Sequence, residues 1–233
     1  MQEPEIVYED ENLIAVNKPA GLLTHAAGKG EEGTLTHWMV SHYSELEKIG
    51  DPERPGLVHR LDKETSGLIL FAKNEQSFIY LKSLFKERKI LKIYQAFVWG
   101  KVEPAIGKIE KAIGIKSGTV KHSVFSEKMA KPAVTEYKVL NFLEKDKEIF
   151  SLLEIKPWTG RTHQIRIHLA SIGHPVVGDE LYSKRKTPFA YPHLFLHAWK
   201  LELLTPDGKK LRLEADLPDE FALELQTLSY PQQ

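Results

Sequence analysis

The chain has 233 residues, no formal net charge, 42% hydrophobic and 27% charged residues, and no cysteine. These proportions are those of an ordinary soluble globular protein and exclude collagenous, disordered and membrane classes. Without cysteine, disulfides, thiolate nucleophiles and cysteine-ligated zinc are excluded too. The first twelve residues carry five acidic and no basic side chains, unlike a signal or transit peptide, and no apolar run nears the roughly 18 residues of a membrane span. A cytoplasmic protein with no membrane partner is expected.

The zero net charge hides an uneven distribution. Lys82 to Lys121 holds ten Lys/Arg against three Glu, and Lys156 to Lys200 holds seven against Asp179 and Glu180, with five His besides. Leu201 to Gln233 has three basic against seven acidic side chains, an acidic C-terminal tail. A basic middle between acidic ends is either a set of solvated faces or the footprint of a polyanionic partner.

In chain order, Glu5 to Lys18 reads as two short strands around a turn at Glu9 to Asn12. A helix is expected over Thr34 to Leu46, a rigid polar loop over Gly50 to Gly56 and a buried strand over Gly67 to Ala72. Asn74 is a good N-cap for a helix reaching Lys89, with Phe78, Leu81 and Phe85 on its buried side. Strands follow at Lys92 to Gly100, Pro132 to Phe142, Phe150 to Lys156, Leu194 to Leu204 and Lys210 to Ala215, the last two forming a hairpin through Pro206-Asp207-Gly208. Thr162 to Ile172 reads as a short helix with Ile165, Leu169 and Ile172 inward and Gly173 as its stop. Strands interspersed with helices, without a βαβ rhythm, favour an α+β fold.

Gly28-Lys29-Gly30-Glu31-Glu32-Gly33 fits a nucleotide-loop pattern, but two glutamates would face the pyrophosphate and no strand precedes the first glycine, so a surface loop is expected. His193 and His197 flank a β-like stretch, and His163 and His168 stand about 140° apart round a helix. Neither pair has the helical zinc spacing, and no metal is expected.

The informative segment is His59-Arg60-Leu61-Asp62-Lys63-Glu64-Thr65-Ser66-Gly67, a loop with a carboxylate and two hydroxyls that leads directly into the apolar run Leu68 to Phe71. A rigid strand can hold such a loop for chemistry, and a solvated turn with Asp62 as a local cap has the same sequence. The segment resembles the HRLD signature of the RluA family of pseudouridine synthases. Further blocks of that family occur in order: Val16-Asn17-Lys18-Pro19-Ala20-Gly21, Lys92-Ile93-Tyr94-Gln95-Ala96, Gly160-Arg161-Thr162-His163-Gln164-Ile165-Arg166-Ile167-His168, Gly173-His174-Pro175-Val176-Val177-Gly178-Asp179 with Tyr182, and Leu196-His197-Ala198. The resemblance covers roughly residues 5 to 220.

The resemblance implies one catalytic domain over residues 1–233, built on a long, bent, mixed but mainly antiparallel sheet flanked by helices and loops, with a central RNA-binding cleft. The S4-like RNA-binding domain of many relatives is expected to be missing, since the first block begins near residue 5. The implied activity is isomerisation of specific uridines in ribosomal or transfer RNA, by a monomer needing no cofactor. Asp62 is implied as the catalytic carboxylate beside C1′, Arg166 as the cation that keeps it charged, and Tyr94 as the ring that stacks on the uracil. Arg60 would fill the space of an extruded base, while His59, Arg161, His163, Gln164 and Lys92 would contact RNA. Two other classes fit part of the pattern: an inactive RNA-binding module, and a nucleoside or glycoside hydrolase in which Glu64 or Asp179 would serve as general acid.

Overall fold

The computed structural model describes residues 3–26, 32–115, 122–124, 126 and 128–230, so most of the glycine-rich 28–33 segment lies outside it. The chain divides into two compact units, Met1–Lys92 with Ala198–Pro218, and Ile93–His197 with Asp219–Gln233. In chain order the elements are β1 (Glu5–Glu9), β2 (Leu13–Lys18), α1 (Leu35–His42), β3 (Gly50–Asp51), β4 (Arg54–Pro55), β5 (Ser66–Ala72) and α2 (Glu75–Lys86). Strand β6 (Leu91–Trp99) carries the chain into the second unit, followed by β7 (Ile106–Glu110), β8 (Gly114–Ile115), β9 (His122–Ser123), β10 (Val134–Lys145), β11 (Glu148–Pro157) and α3 (Gln164–Ser171). Strand β12 (Leu196–Leu204) returns it to the first unit for β13 (Lys210–Glu214), and α4 (Asp219–Gln226) belongs to the second. The fold is α+β and mainly antiparallel, as expected. No helix among the described residues is long and apolar enough to cross a membrane.

In the first unit, β2 and β5 pair antiparallel from Leu13 opposite Ala72 to Lys18 opposite Gly67. All seven residues of β5 are buried, as a continuous apolar run demands when both faces of a strand are covered. Asp10 closes the β1–β2 turn by accepting the N–H groups of Asn12 and Leu13 at 2.7 and 2.8 Å, an Asx turn. Helix α2 starts where Asn74 predicts, its side chain accepting the Ser77 N–H at 2.8 Å. It ends three residues before Lys89, and its buried positions are Ser77, Leu81 and Leu84, with Phe78 and Phe85 only half covered. Helix α1 is likewise shorter than expected, giving way to a 3₁₀ turn at Ser44–Lys48. The expected Gly50–Gly56 loop contains the small β3–β4 hairpin. Gly67 lets β5 approach its neighbour: at φ +109 a Cβ there would lie 2.3 Å from the Ala198 carbonyl oxygen.

In the second unit β11 is flanked by β6 and β10, and β10 by β7. The β10–β11 hairpin turns through Asp146 and Lys147, both in the left-handed region at φ 52 and 65, the geometry that matches strand twist in a two-residue turn. Phe97, Phe150, Phe189 and Phe195 form an aromatic core with ring centroids 5.1 to 5.7 Å apart. Within the acidic C-terminal stretch α4 inserts a fully buried Phe221 against Phe195, 4.7 Å between centroids, while Asp219 and Glu220 are exposed and Glu224 accepts the Ala190 N–H. Helix α3 is not amphipathic, because Gln164 to Leu169 are all buried, including Gln164, Arg166 and His168. Those polar groups are tolerated inside because each is hydrogen-bonded.

Candidate active site

In the first unit, the loop carrying Asp62 lies directly before β5 and is fastened to it. Leu57 bridges Phe71, and the Leu70 N–H donates to His59 Nε2 at 3.0 Å. That bond fixes the proton of neutral His59 on Nδ1. The His59 ring stacks on Phe85 at 4.4 Å, and burial together with the charges of Lys92 and Lys82 pushes its pKa down to about 3. His59 therefore anchors the loop to β5.

A second set of clamps acts on the residues either side of Asp62. Thr24 Oγ1 donates to the Leu61 carbonyl at 2.8 Å and accepts the Leu61 N–H at 3.3 Å. The Lys63 carbonyl accepts the Gly21 N–H and Lys18 Nζ, both at 3.0 Å. The intervening Asp62 carbonyl accepts the Thr65 N–H at 3.1 Å. Three successive backbone carbonyls are thus satisfied, which leaves the half-buried Asp62 side chain on an over-determined main chain.

Lys18 is the base of this arrangement. It is fully buried, and its Nζ also donates to the carbonyls of Pro19 and Leu22 at 2.8 Å each, one acceptor for each ammonium proton. Burial pushes its pKa down to about 7, while the charges of Glu64 and Asp62 oppose the fall. Arg60 is exposed and Lys92 half-buried, the latter with its pKa lowered by burial and by Arg88.

The second unit holds the other candidates. Tyr94 is half-buried on β6, opposite Ile155 of β11. Gln164 is buried, and both ends of its amide are engaged: Oε1 accepts Thr159 Oγ1 and the Arg161 N–H at 2.6 and 3.1 Å, and Nε2 donates to the Val134 carbonyl and Thr135 Oγ1 at 2.9 and 3.0 Å. With four hydrogen bonds made internally it braces the loop before α3. His163 begins α3 in the left-handed region at φ 53, its Nδ1 2.9 Å from the Tyr182 hydroxyl. Arg161 Nε donates to the Pro132 carbonyl at 3.2 Å.

Arg166 is held by Asp179, a partner the sequence reading did not assign. Nε donates to Oδ2 and Nη2 to Oδ1, both at 2.8 Å, and the guanidinium lies 5.2 Å from the Tyr182 ring centroid. Asp179 Oδ1 also accepts the N–H groups of Leu181 and Tyr182 at 3.0 Å each. Gly178 makes the turn possible, since at φ +78 a Cβ would lie 2.3 Å from the His193 carbonyl oxygen. Both carboxylate oxygens of Asp179 are thus engaged as acceptors. Lys18 and Asp179 both lie inside quoted family blocks. Their roles are invisible in sequence because their partners are main-chain atoms or distant residues.

An anchored carboxylate loop on an α+β, mainly antiparallel fold defines the class to which this chain is comparable. A family model described as RNA pseudouridylate synthase matches residues 12–171. An uncharacterized RNA pseudouridine synthase of Aquifex aeolicus is 45% identical over 177 residues, 76% of this chain and 55% of that protein. The ribosomal large subunit pseudouridine synthase D of Borreliella burgdorferi is 36% identical over 94% of this chain and 67% of its own length. Among solved structures, human RNA pseudouridylate synthase domain containing 4 superposes with a TM-score of 0.73 at 28% identity, over 97% of this chain and 94% of that one. Human RNA pseudouridylate synthase domain containing 1 shares the fold, with a TM-score of 0.76 at 24% identity over 99% and 97% of the two chains. The chain belongs to the RNA pseudouridylate synthase family, and it spans 55% to 67% of the length of these two bacterial relatives.

Proposed function

We propose that the protein is an RNA pseudouridine synthase, that its two units act as a single catalytic domain, and that Asp62 is its catalytic carboxylate. The observation that carries this reading is the fixation of Asp62: Thr24 holds Leu61 before it, and Lys18 with Gly21 holds Lys63 after it. A carboxylate that must meet one sugar carbon needs a main chain that cannot drift, because a misplacement of about 1 Å can cost a hundredfold in rate.

The reaction breaks the N1–C1′ bond of uridine, turns the uracil and joins C5 to C1′. A proton leaves C5 and one is gained at N1, so mass and charge are unchanged. Asp62 acts at C1′ or on the sugar beside it, Tyr94 stacks against the uracil, and Arg166 supplies positive charge. Arg60 enters the space left by the extruded base. Ribosomal RNA is the first substrate to test, because relatives of this chain are named as ribosomal large subunit synthases; the reading extends to transfer RNA. A cytoplasmic monomer that uses no cofactor completes the reading.

The test is incubation of the purified chain with ribosomal and transfer RNA transcripts, followed by pseudouridine mapping and nucleoside mass analysis. An isomer of uridine with unchanged mass, absent with Asp62→Asn, is the expected result. Release of free uracil would replace the reading with a hydrolase, and tight binding without any product would replace it with an RNA-binding module.

A further inference from the structure

We propose that the surface around Trp158 is a second RNA subsite, one that takes an unpaired base lying outside the reacting nucleotide together with its flanking phosphates. The inference rests on the RNA-substrate reading above and assigns a new contact to it. Trp158 is 50% exposed at the end of β11, an uncommon place for so large an apolar ring. Its backbone is fixed: the N–H donates to the Val134 carbonyl at 3.0 Å. The next residue, Thr159, is buried, accepting the Val134 N–H at 3.0 Å and donating to Gln164 at 2.6 Å. The ring is therefore presented on a rigid mount.

The backbone segments next to Trp158 carry basic side chains. Arg161 reaches the Pro132 carbonyl, two residues from the Val134 that holds Trp158. Exposed Lys131 is locked opposite Ile113 by a reciprocal pair of backbone hydrogen bonds at 3.0 Å. Exposed Lys111 lies two residues before Ile113, with its Nζ against Ser171, and Lys128 is exposed on the same segment as Lys131. The acidic side chains near Trp158 by strand register are Glu110, opposite Val134 and ion-paired with Lys108 at 2.7 Å, and Glu136, which stands two residues along β10 between Lys108 and Lys156. Glu127 lies outside the described residues.

A lone exposed indole needs no explanation, but an indole whose neighbouring backbone segments carry Arg161, Lys131 and Lys128 is matched to a planar, anionic ligand. Protein partners favour surfaces whose centre is depleted in charge, whereas single-stranded nucleic acid is bound by aromatic platforms set among cations that take the phosphates. Every base has a π-face, so this subsite tolerates any sequence and requires only that the base be unpaired.

The test measures binding by fluorescence anisotropy with two probes, a labelled oligouridylate and a blunt RNA duplex of equal length. Trp158→Ala is expected to weaken oligouridylate binding by about 5- to 100-fold and to leave the duplex almost unaffected. Trp158→Phe retains a stacking ring and should stay within about threefold of the original chain, while losing the RNA-induced quenching of tryptophan emission. Lys131→Glu, which does not touch the ring, should weaken both probes and flatten the salt dependence. Unchanged oligouridylate affinity in Trp158→Ala, or an equal loss on both probes, overturns the proposal. The catalytic reading fails separately: a chain that binds and quenches as described but forms no pseudouridine refutes the synthase and not the subsite.

Discussion

Arg166 and Asp179 meet fork to fork in the interior of the second unit, Nε to Oδ2 and Nη2 to Oδ1 at 2.8 Å, with side-chain exposures of 9% and 0%. A planar guanidinium with two parallel bonds has a fixed orientation. The carboxylate that sets this orientation is itself set by the N–H groups of Leu181 and Tyr182. Asp179 is therefore the positioning residue of the α3 cation.

Removing one member of a buried pair leaves the other charge without compensation, which costs about 3–5 kcal/mol. Asp179→Ala should lose stability on that scale in urea denaturation, and Asp179→Asn, whose amide oxygen still accepts the Leu181 and Tyr182 N–H groups, should lose less. If Asp179→Ala stays within about 1 kcal/mol of the original chain, the pair does not carry the stability assigned to it.

For Asp62 the expected behaviour is catalytic rather than structural. Asp62→Asn keeps the shape of a half-buried side chain on a clamped loop while deleting its charge. Turnover should fall by at least about 10³-fold, with RNA affinity changed by less than about tenfold. Substantial pseudouridine formation by the variant would remove Asp62 from the chemistry.

The Thr24 clamp makes a separate prediction. Thr24→Val keeps the volume but leaves the Leu61 N–H and carbonyl without their hydroxyl, each such buried loss costing about 1–3 kcal/mol unless the loop shifts to find water. A shifted loop misplaces Asp62, so kcat should drop roughly 10- to 100-fold, and Thr24→Ser, which restores the hydroxyl, should recover most of it. A general loss of packing would instead lower kcat in both variants alike.

How far the sequence could be read follows from where each signal resides. Strand β5, the Asn74 cap and the β12–β13 hairpin are carried by local pattern, an apolar run, a short polar side chain and a Pro-Asp-Gly turn, and each stands close to its expected place. Strand β7 was not legible because its edge position buries only Ile109 of five residues, which leaves no alternation to detect. Helix α4 was hidden for a related reason: Phe221 is its one fully buried side chain, and the surrounding acidic residues read as a tail. Asp62 stood out by its motif. The clamps around it did not, since Thr24 and Leu61 are 37 residues apart and Lys18 works through main-chain carbonyls.

Acid stability should report on His59. Its pKa is about 3 in the folded chain against 6.5 for the free side chain, so between those values the unfolded chain binds a proton that the folded chain does not. Stability from this residue is therefore present above pH 6.5 and is lost as pH falls toward 3, with a slope approaching about 1.4 kcal/mol per pH unit. Exposed carboxylates add their own dependence, which a comparison cancels. His59→Gln can still accept the Leu70 N–H but does not titrate, so the gap between urea midpoints at pH 6.5 and pH 4.5 should be smaller in the variant. An identical gap would mean that His59 charges freely in the folded chain.

Arg60 stands two residues before Asp62, exposed, on the same clamped loop. If it occupies the space vacated by an extruded uridine, it offsets part of an unstacking cost of a few kcal/mol, and that cost is largest when the target is stacked or paired. Arg60→Ala should then slow single-turnover modification of a stem-loop far more than that of an unstructured oligonucleotide with the same local sequence. A phosphate contact behaves differently, weakening both RNAs to the same degree and reducing the dependence of binding on salt. Measuring both substrates at several salt concentrations separates the two roles. Equal losses with a shallower salt slope would make Arg60 a phosphate anchor, whereas a loss confined to the stem-loop with an unchanged slope identifies the side chain that holds the helix open.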